Sequence, residues 1–130
     1  MPEDRSVRAA WAGGMRVDTR VGDFDLVVDE PVSAGGTNAG PAPTDLLLAS
    51  VASCFTLAMA YAARKRELEL PGLAVIAVGS YDGPRFARIS ISVTSDVAPD
   101  VLEPLIAAAE RVCYVTNTLR RPPDISIGLR

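Results

Sequence analysis

The chain has 130 residues, of which 48% are apolar and 22% charged, and its formal net charge is −3. This length and composition are typical of one soluble globular domain, which we expect to span residues 1–130. The negative net charge argues against general nucleic-acid binding, because contacts with a phosphate backbone need a clustered basic surface.

Histidine does not occur in the sequence. Its absence excludes Ser-His-Asp and Cys-His chemistry, imidazole general bases and histidine-ligated zinc. Two cysteines, Cys54 and Cys113, cannot complete a four-cysteine metal site and form no C-x-x-C motif. The charged N-terminus has no apolar segment, so we predict no signal peptide and a cytoplasmic protein whose thiols stay reduced.

In chain order, the first third predicts three strands. Two short segments, 6–11 and 15–21, flank the hairpin-like turn signal Gly13-Gly14, and a strand with period two follows at 24–28. The Gly- and Pro-rich stretch 33–43 predicts a loop. The sequence leaves open whether this loop is a plain connector or a shaped segment that leads into a functional helix.

A long helix is predicted from about Thr44 to Arg66. Within it, residues 46–63 form an uncharged apolar run of eighteen residues, which just reaches the length of a membrane span. The run is rich in alanine and contains serine and threonine, and no other run of this kind occurs in the chain. We therefore predict a buried core helix and no membrane partner.

The second half predicts a hairpin, a helix and a last strand. Segments 73–81 and 85–94 flank Asp82-Gly83-Pro84, and a helix follows at 99–112. Asn117 and residues 120–123 are assigned to a turn region, and the alternating stretch 125–129 to a final strand. The order β-β-β-α-β-β-α-β predicts an α+β fold with a mainly antiparallel sheet and a long buried central helix.

Both cysteines lie on the apolar stripes of their helices, and two interpretations remain open. Free cysteine is often buried as a small inert hydrophobe. Alternatively, Cys54 and Cys113 form a reactive pair, in which case a cation must stabilise a thiolate. Twelve of the thirteen basic residues are arginine, so an arginine oriented by a carboxylate is the expected group.

The run GGTNAGPAPTDLLLASVASC, together with the later run CYVTNTL and the DEP motif at 29–31, resembles the OsmC/Ohr family of thiol-dependent hydroperoxide reductases. The resemblance extends from about Trp11 to Leu129. It implies the OsmC-like fold and a tightly intertwined homodimer with active sites at the subunit interface.

The resemblance further implies a cysteine-based peroxidase that reduces alkyl or fatty-acyl hydroperoxides in an oxidative stress response. Cys54 would be the attacking thiolate, and Cys113 would resolve the resulting sulfenic acid to a disulfide. A small dithiol, in this family a lipoyl group, would reduce that disulfide. No metal, haem or flavin is expected.

The resemblance also assigns an arginine and a carboxylate to the site. Arg16 is where the family arginine is expected, with Arg20 as the second choice. Thr44 stands where the Ohr and original OsmC branches have glutamate, and Asp45 stands where OsmC-like relatives usually have it. Tyr114 replaces the proline that commonly follows the second cysteine, and we expect its ring to pack.

Two other functional classes remain open at this point. The chain can be an OsmC-like binding or thiol redox-sensing module with little turnover, since Asp45 is shorter than glutamate. Hydrolysis through Cys54 is the weakest alternative, because no histidine base is present.

Overall fold

The computed structural model describes residues 3–130. Internal contacts divide the chain into an N-terminal unit that ends at Leu47 and a C-terminal unit that begins at Leu48. Both units combine helix with antiparallel strands, so the predicted α+β class is confirmed. The single domain predicted for residues 1–130 remains a prediction.

The N-terminal unit contains a three-stranded antiparallel sheet in the order β1-β2-β3, formed by Val7–Trp11, Val17–Val21 and Phe24–Val28. The turn between β1 and β2 uses Gly13 and Gly14 at φ angles of 98° and 58°. Glycine adopts this left-handed region without steric cost, so the glycine pair permits the tight reversal. All three predicted strands are confirmed.

One face of this sheet is apolar. The register places Val7, Val21 and Phe24 side by side at one end of the sheet. Trp11 lies on the same face at the other end of the sheet, where it is paired with Val17. Trp11 and Phe24 are each 76% exposed, so the described chain leaves much of this face uncovered.

The loop after β3 folds around a buried carboxylate. Asp29 is only 1% exposed and accepts hydrogen bonds from the Thr37 hydroxyl at 2.6 Å and from the N–H groups of Glu30, Thr37 and Ala39 at 2.7, 3.2 and 3.1 Å. The Thr37 hydroxyl and the Ala39 N–H contribute most, and together these donors outweigh burial and lower the pKa of Asp29 to about 2.

The same loop depends on two glycines where backbone segments meet closely. A Cβ on Gly36 would clash with the carbonyl oxygen of Glu30, and a Cβ on Gly40 would clash with that of Val27. Only glycine fits such an approach. The loop is therefore a shaped segment and not a plain connector.

Helix α1 spans Pro43–Lys65, within one residue of the predicted limits at each end. Proline suits the first turn, and the basic residues Arg64 and Lys65 suit the C-terminal end of the helix dipole. By length and composition alone α1 is apolar enough to cross a membrane. Its buried face, however, forms the centre of a protein core, as predicted.

That core lies in the C-terminal unit, between α1, helix α2 (Pro99–Val112) and a hairpin of β4 (Ala74–Tyr81) and β5 (Phe86–Thr94). Alanine makes up half of the buried members of this core. The buried members of the core cluster are Phe55, Ala58, Met59, Ala62, Ala63, Leu102, Leu105, Ala108, Ala109 and Cys113.

The turn predicted around Asn117 and 120–123 is partly wrong, because Tyr114–Arg120 forms a third helix, α3. Cys113 has an extended backbone (φ −75°, ψ 107°) and separates α2 from α3. The N–H of Asn117 then donates to the carbonyl of Cys113 at 3.0 Å and closes the first turn of α3. The β-branched residues of this segment have low helix propensity, which concealed the helix in the sequence.

The predicted last strand is also wrong for the described chain. Residues 121–130 have no regular structure, and Ile125, Ile127 and Leu129 are 81%, 95% and 106% exposed. A strand needs a neighbouring edge to satisfy its backbone groups, and alternation alone does not supply one.

The buried Asp29 carboxylate makes stability depend on pH. Because its pKa falls on folding, its contribution is complete above the usual value of 3.8 and is lost as the pH drops towards about 2. We expect Asp29→Asn to lower the Tm at pH 7 and to flatten the loss of Tm between pH 4 and pH 2. Thermal unfolding followed by circular dichroism measures both.

Asp23→Asn, at an exposed turn position, is the matched control and should follow the wild-type profile. Equal Tm profiles for Asp29→Asn and wild type would contradict the role given to Asp29.

Candidate functional site

The structure brings the two cysteines together in the C-terminal unit. Cys54 lies near the middle of α1, and Cys113 lies at the junction of α2 and α3. Cys113 belongs to the buried cluster, and Cys54 packs against that cluster while remaining partly exposed. The apolar stripes of two separate helices therefore converge on one pair of sulfur atoms.

The two thiols interact directly. The Cys54 side chain lies near enough to Cys113 to help lower the pKa of that thiol, and both thiols are free. Two cysteines in such contact are placed for chemistry that passes from one sulfur to the other.

Polar groups of α3 surround the sulfur of Cys113. Burial raises the pKa of this thiol, but the hydroxyl and N–H of Thr116, the Cys54 thiol and the N–H of Val115 stabilise the thiolate. Their combined effect exceeds that of burial and lowers the pKa of Cys113. Cys113 is the N-cap residue of α3, but its side chain makes no capping hydrogen bond there. The lower pKa therefore comes from several weak interactions acting together.

Two adjoining cavities of about 440 and 220 Å³ lie between β5 and the helices. We call them the β5 groove. Ile89, Ile91, Thr116 and Arg120 line both parts. Helix α1 contributes Val51 to the larger part and Phe55 to the smaller part. In the sequence, Val51 precedes Cys54 and Phe55 follows it.

The β5 groove has a mixed lining, in which apolar residues of β5 and α1 lie beside Glu110, Thr116 and Arg120. Arg120 Nη2 lies 3.9 Å from Glu110 Oε2, and both side chains are largely exposed. Thr116 lines both parts of the groove and also helps lower the pKa of the Cys113 thiol. The sequence indicated Thr116 only as part of the run CYVTNTL. Its proximity to the Cys113 thiol depends on helix α3, which the sequence did not predict.

The predicted arginines lie in the N-terminal unit. Arg16 immediately precedes β2, and its Nε is 3.3 Å from Asp18 Oδ1. Arg20 lies within β2, and its Nη1 is 2.9 Å from Asp25 Oδ1. Both guanidinium groups are about half exposed and belong to carboxylate pairs within their own sheet.

Asp45 lies in the first turn of α1, where a negative charge complements the helix dipole. It is exposed, and Thr44 beside it is half-buried. The helix continues without a break from Asp45 to Cys54. Nine helical residues place these side chains on opposite sides and roughly 13 Å apart along the axis.

Tyr114 does not pack as expected. Its side chain is 78% exposed at the start of α3, since the residue follows the extended Cys113 and points away from the core. Within residues 3–130 no group of three or more His, Cys, Asp or Glu side chains is placed to hold a metal ion.

The sequence matches a family model of OsmC-like proteins over residues 36–128. It is 32% identical to an uncharacterized protein of Haloferax volcanii over 82% of this chain and 80% of that protein. It is 26% identical to the organic hydroperoxide resistance protein OhrB of Bacillus subtilis over 96% of this chain and 94% of that protein.

Solved structures show the same fold. An OsmC-like protein from Mycoplasma pneumoniae aligns with a TM-score of 0.76 at 18% identity, over 92% of this chain and 89% of that one. The organic hydroperoxide resistance protein OsmC from Legionella pneumophila aligns with a TM-score of 0.67 at 22% identity, over 91% and 90%. With a family model that matches most of its length and relatives across nearly all of it, the chain belongs to the OsmC-like family.

Proposed function

We propose that this protein is a thiol-dependent peroxidase that reduces organic hydroperoxides. The observation that carries the proposal is the contact between the Cys54 and Cys113 thiols. The names of OhrB from Bacillus subtilis and OsmC from Legionella pneumophila, both organic hydroperoxide resistance proteins, support the substrate class.

The reaction uses the two sulfurs in turn. The Cys54 thiolate attacks the distal oxygen of the hydroperoxide, the O–O bond breaks, and the alkoxide takes a proton and leaves as the alcohol. The Cys113 sulfur then attacks the sulfenic acid of Cys54, and water leaves as the disulfide forms. A small dithiol, such as a lipoyl group, supplies two electrons and two protons to restore both thiols.

The β5 groove supports an organic substrate over hydrogen peroxide. Val51 lines one part of the groove and Phe55 the other, three residues before and one residue after Cys54 in α1, although Cys54 itself lines neither part. An alkyl or fatty-acyl chain gains free energy by leaving water for such a surface, whereas hydrogen peroxide has no apolar part to bury. The chemistry needs no metal, haem or flavin.

An arginine is the cation that this mechanism requires beside the attacking sulfur, because the chain contains no histidine. We assign this role to Arg16, with Arg20 as the alternative. Asp45, or Thr44 in its place, would orient the guanidinium. Since Asp45 is exposed at the start of α1, a low-turnover binding or redox-sensing module remains the alternative function.

We further propose a homodimer, with the active sites at the subunit interface. The apolar face of the N-terminal sheet, which includes Trp11 and Phe24, is largely exposed in a single chain, as is the apolar alternation of 125–129. Exposed apolar surface of this extent is typical of an interaction site. We place the dimer in the cytoplasm, where thiols stay reduced.

The peroxidase assignment predicts that Cys54→Ser abolishes turnover. Loss of tert-butyl hydroperoxide in the presence of dihydrolipoamide is the measurement, and we expect a decrease of at least about a thousandfold because the nucleophile is removed. Ser53→Ala, the neighbouring exposed position on α1, is the control and should keep wild-type turnover. Equal turnover by Cys54→Ser and wild type would refute the assignment, and negligible turnover by wild type would favour the sensing module.

The arginine assignment predicts different effects for two similar residues. We expect Arg16→Gln to lower kcat/KM at pH 7 by about tenfold, because an adjacent cation favours the ionised nucleophile. Raising the pH should restore part of this loss. Arg20→Gln, which removes an equally exposed and equally paired arginine, should change kcat/KM by less than about twofold. The reverse order would assign the role to Arg20.

The dimer predicts a solution mass of about twice the 13.7 kDa of one chain. Phe24→Ser places a polar group on the apolar face of the N-terminal sheet and should shift the mass towards that of one chain. Arg8→Ser, on the opposite face of the same sheet, is the control. Light scattering coupled to size exclusion measures the mass, and a wild-type monomer would contradict the dimer.

A further inference from the structure

The two sulfurs of the pair differ in their access to solvent. Cys113 is 0% exposed, whereas Cys54 is only partly covered by the core cluster. Cys113 is enclosed by the core residues of α1 and α2 together with the first turn of α3. The difference matters most after the sulfurs have joined, because an incoming thiolate must then choose one of them.

We propose that the reductant attacks the sulfur of Cys54, that Cys113 departs as the leaving thiolate, and that Thr116 is the positioning residue that receives it. The inference rests on the proposed function only in that it requires the Cys54–Cys113 disulfide. It assigns which sulfur the reductant attacks and which sulfur leaves, and the contact between the thiols does not by itself define this.

The geometry of thiol–disulfide exchange favours this order. In thiol–disulfide exchange, a thiolate attacks one sulfur of a disulfide, forms a mixed disulfide with it and displaces the other sulfur. The accessibility of the two sulfurs helps decide which of them is attacked. To displace Cys54, a reductant would have to reach Cys113 through the buried cluster. To displace Cys113, it needs only the partly exposed side of Cys54.

The surroundings of the two sulfurs favour the same order. A thiol leaves more readily when its anion is stabilised. Thr116 lies in the first turn of α3, where its hydroxyl donates to the carbonyl of Cys113 at 3.4 Å. Its hydroxyl and N–H, together with the N–H of Val115, lower the pKa of Cys113 against the effect of burial. Cys113 is therefore the less accessible target, and its thiolate is stabilised as it leaves.

The step balances without further reactants. The first thiolate of the dithiol forms a bond to the Cys54 sulfur, and the electrons of the S–S bond leave with Cys113. The second thiol of the same molecule then loses its proton to water and attacks the dithiol's first sulfur, which is bonded to Cys54. The ring disulfide of the dithiol forms, Cys54 leaves as a thiolate, and Cys54 and Cys113 each take up a proton. The dithiol is oxidised by two electrons, and the protein regains two thiols.

A monothiol probe stops this sequence after its first step. The purified chain is oxidised with diamide, so that disulfide formation does not depend on hydroperoxide turnover, and is then treated with glutathione and quenched in acid. Peptide mass mapping locates the adduct. We expect glutathione on Cys54 in at least about tenfold excess, with Cys113 as the free thiol.

Glutathione predominantly on Cys113, an equal distribution over both cysteines, or failure of diamide to link the two cysteines would each overturn the inference. The outcome is separate from that of the proposed function. A chain without hydroperoxide turnover that still carries glutathione on Cys54 would refute the peroxidase and leave the inference intact.

Three threonine variants test the role of Thr116. Thr116→Val keeps the shape of the side chain and removes its hydroxyl, so we expect the mixed disulfide to form about threefold more slowly. Thr116→Ser should restore the rate. Thr118→Val is the matched control, because the Thr118 hydroxyl, like that of Thr116, donates to a backbone carbonyl, that of Tyr114 at 2.7 Å, but Thr118 does not contribute to the lowered pKa of Cys113. A wild-type rate for Thr116→Val, or a slow rate for Thr116→Ser, would contradict the assignment.

Discussion

The contact between Cys54 and Cys113 depends on the packing of α1 against α2. Ala58 and Ala62 of α1 and Ala109 of α2 are buried in one cluster, to which Cys113 also belongs. The extended backbone of Cys113 then ends α2 and turns the chain into α3. A core built by simple apolar packing thus holds two thiols in a fixed relation, and the proposed redox chemistry requires that relation.

Much of the fold could be predicted because its signals are local. Glycine pairs, alternating apolar residues and the long apolar run located the strands β1 to β5 and the helices α1 and α2 to within about two residues. Helix α3 was missed because its stability comes from the backbone conformation of Cys113 and not from its propensities. The strand at 125–129 was predicted from alternation, which carries no information on which edge would pair with it.

The site was predictable to a smaller extent, for a related reason. Periodicity placed Cys54 and Cys113 on the apolar faces of their helices, but a helix face does not specify a partner. Thr116 had no sequence signal of its own, because its effect on Cys113 arises from α3. The buried Asp29 was equally hidden: its motif was part of a family resemblance, while the donors that hold its carboxylate lie up to ten residues further along the chain. Such contacts between segments require coordinates.

A crystal structure of the fully reduced protein would show whether the two thiols meet. We expect the sulfurs of Cys54 and Cys113 to lie in direct contact, with Thr116 beside Cys113 and with Cys113 buried away from solvent. A side chain interposed between the sulfurs, or Cα atoms more than about 7 Å apart, beyond the range that a disulfide can bridge, would contradict it.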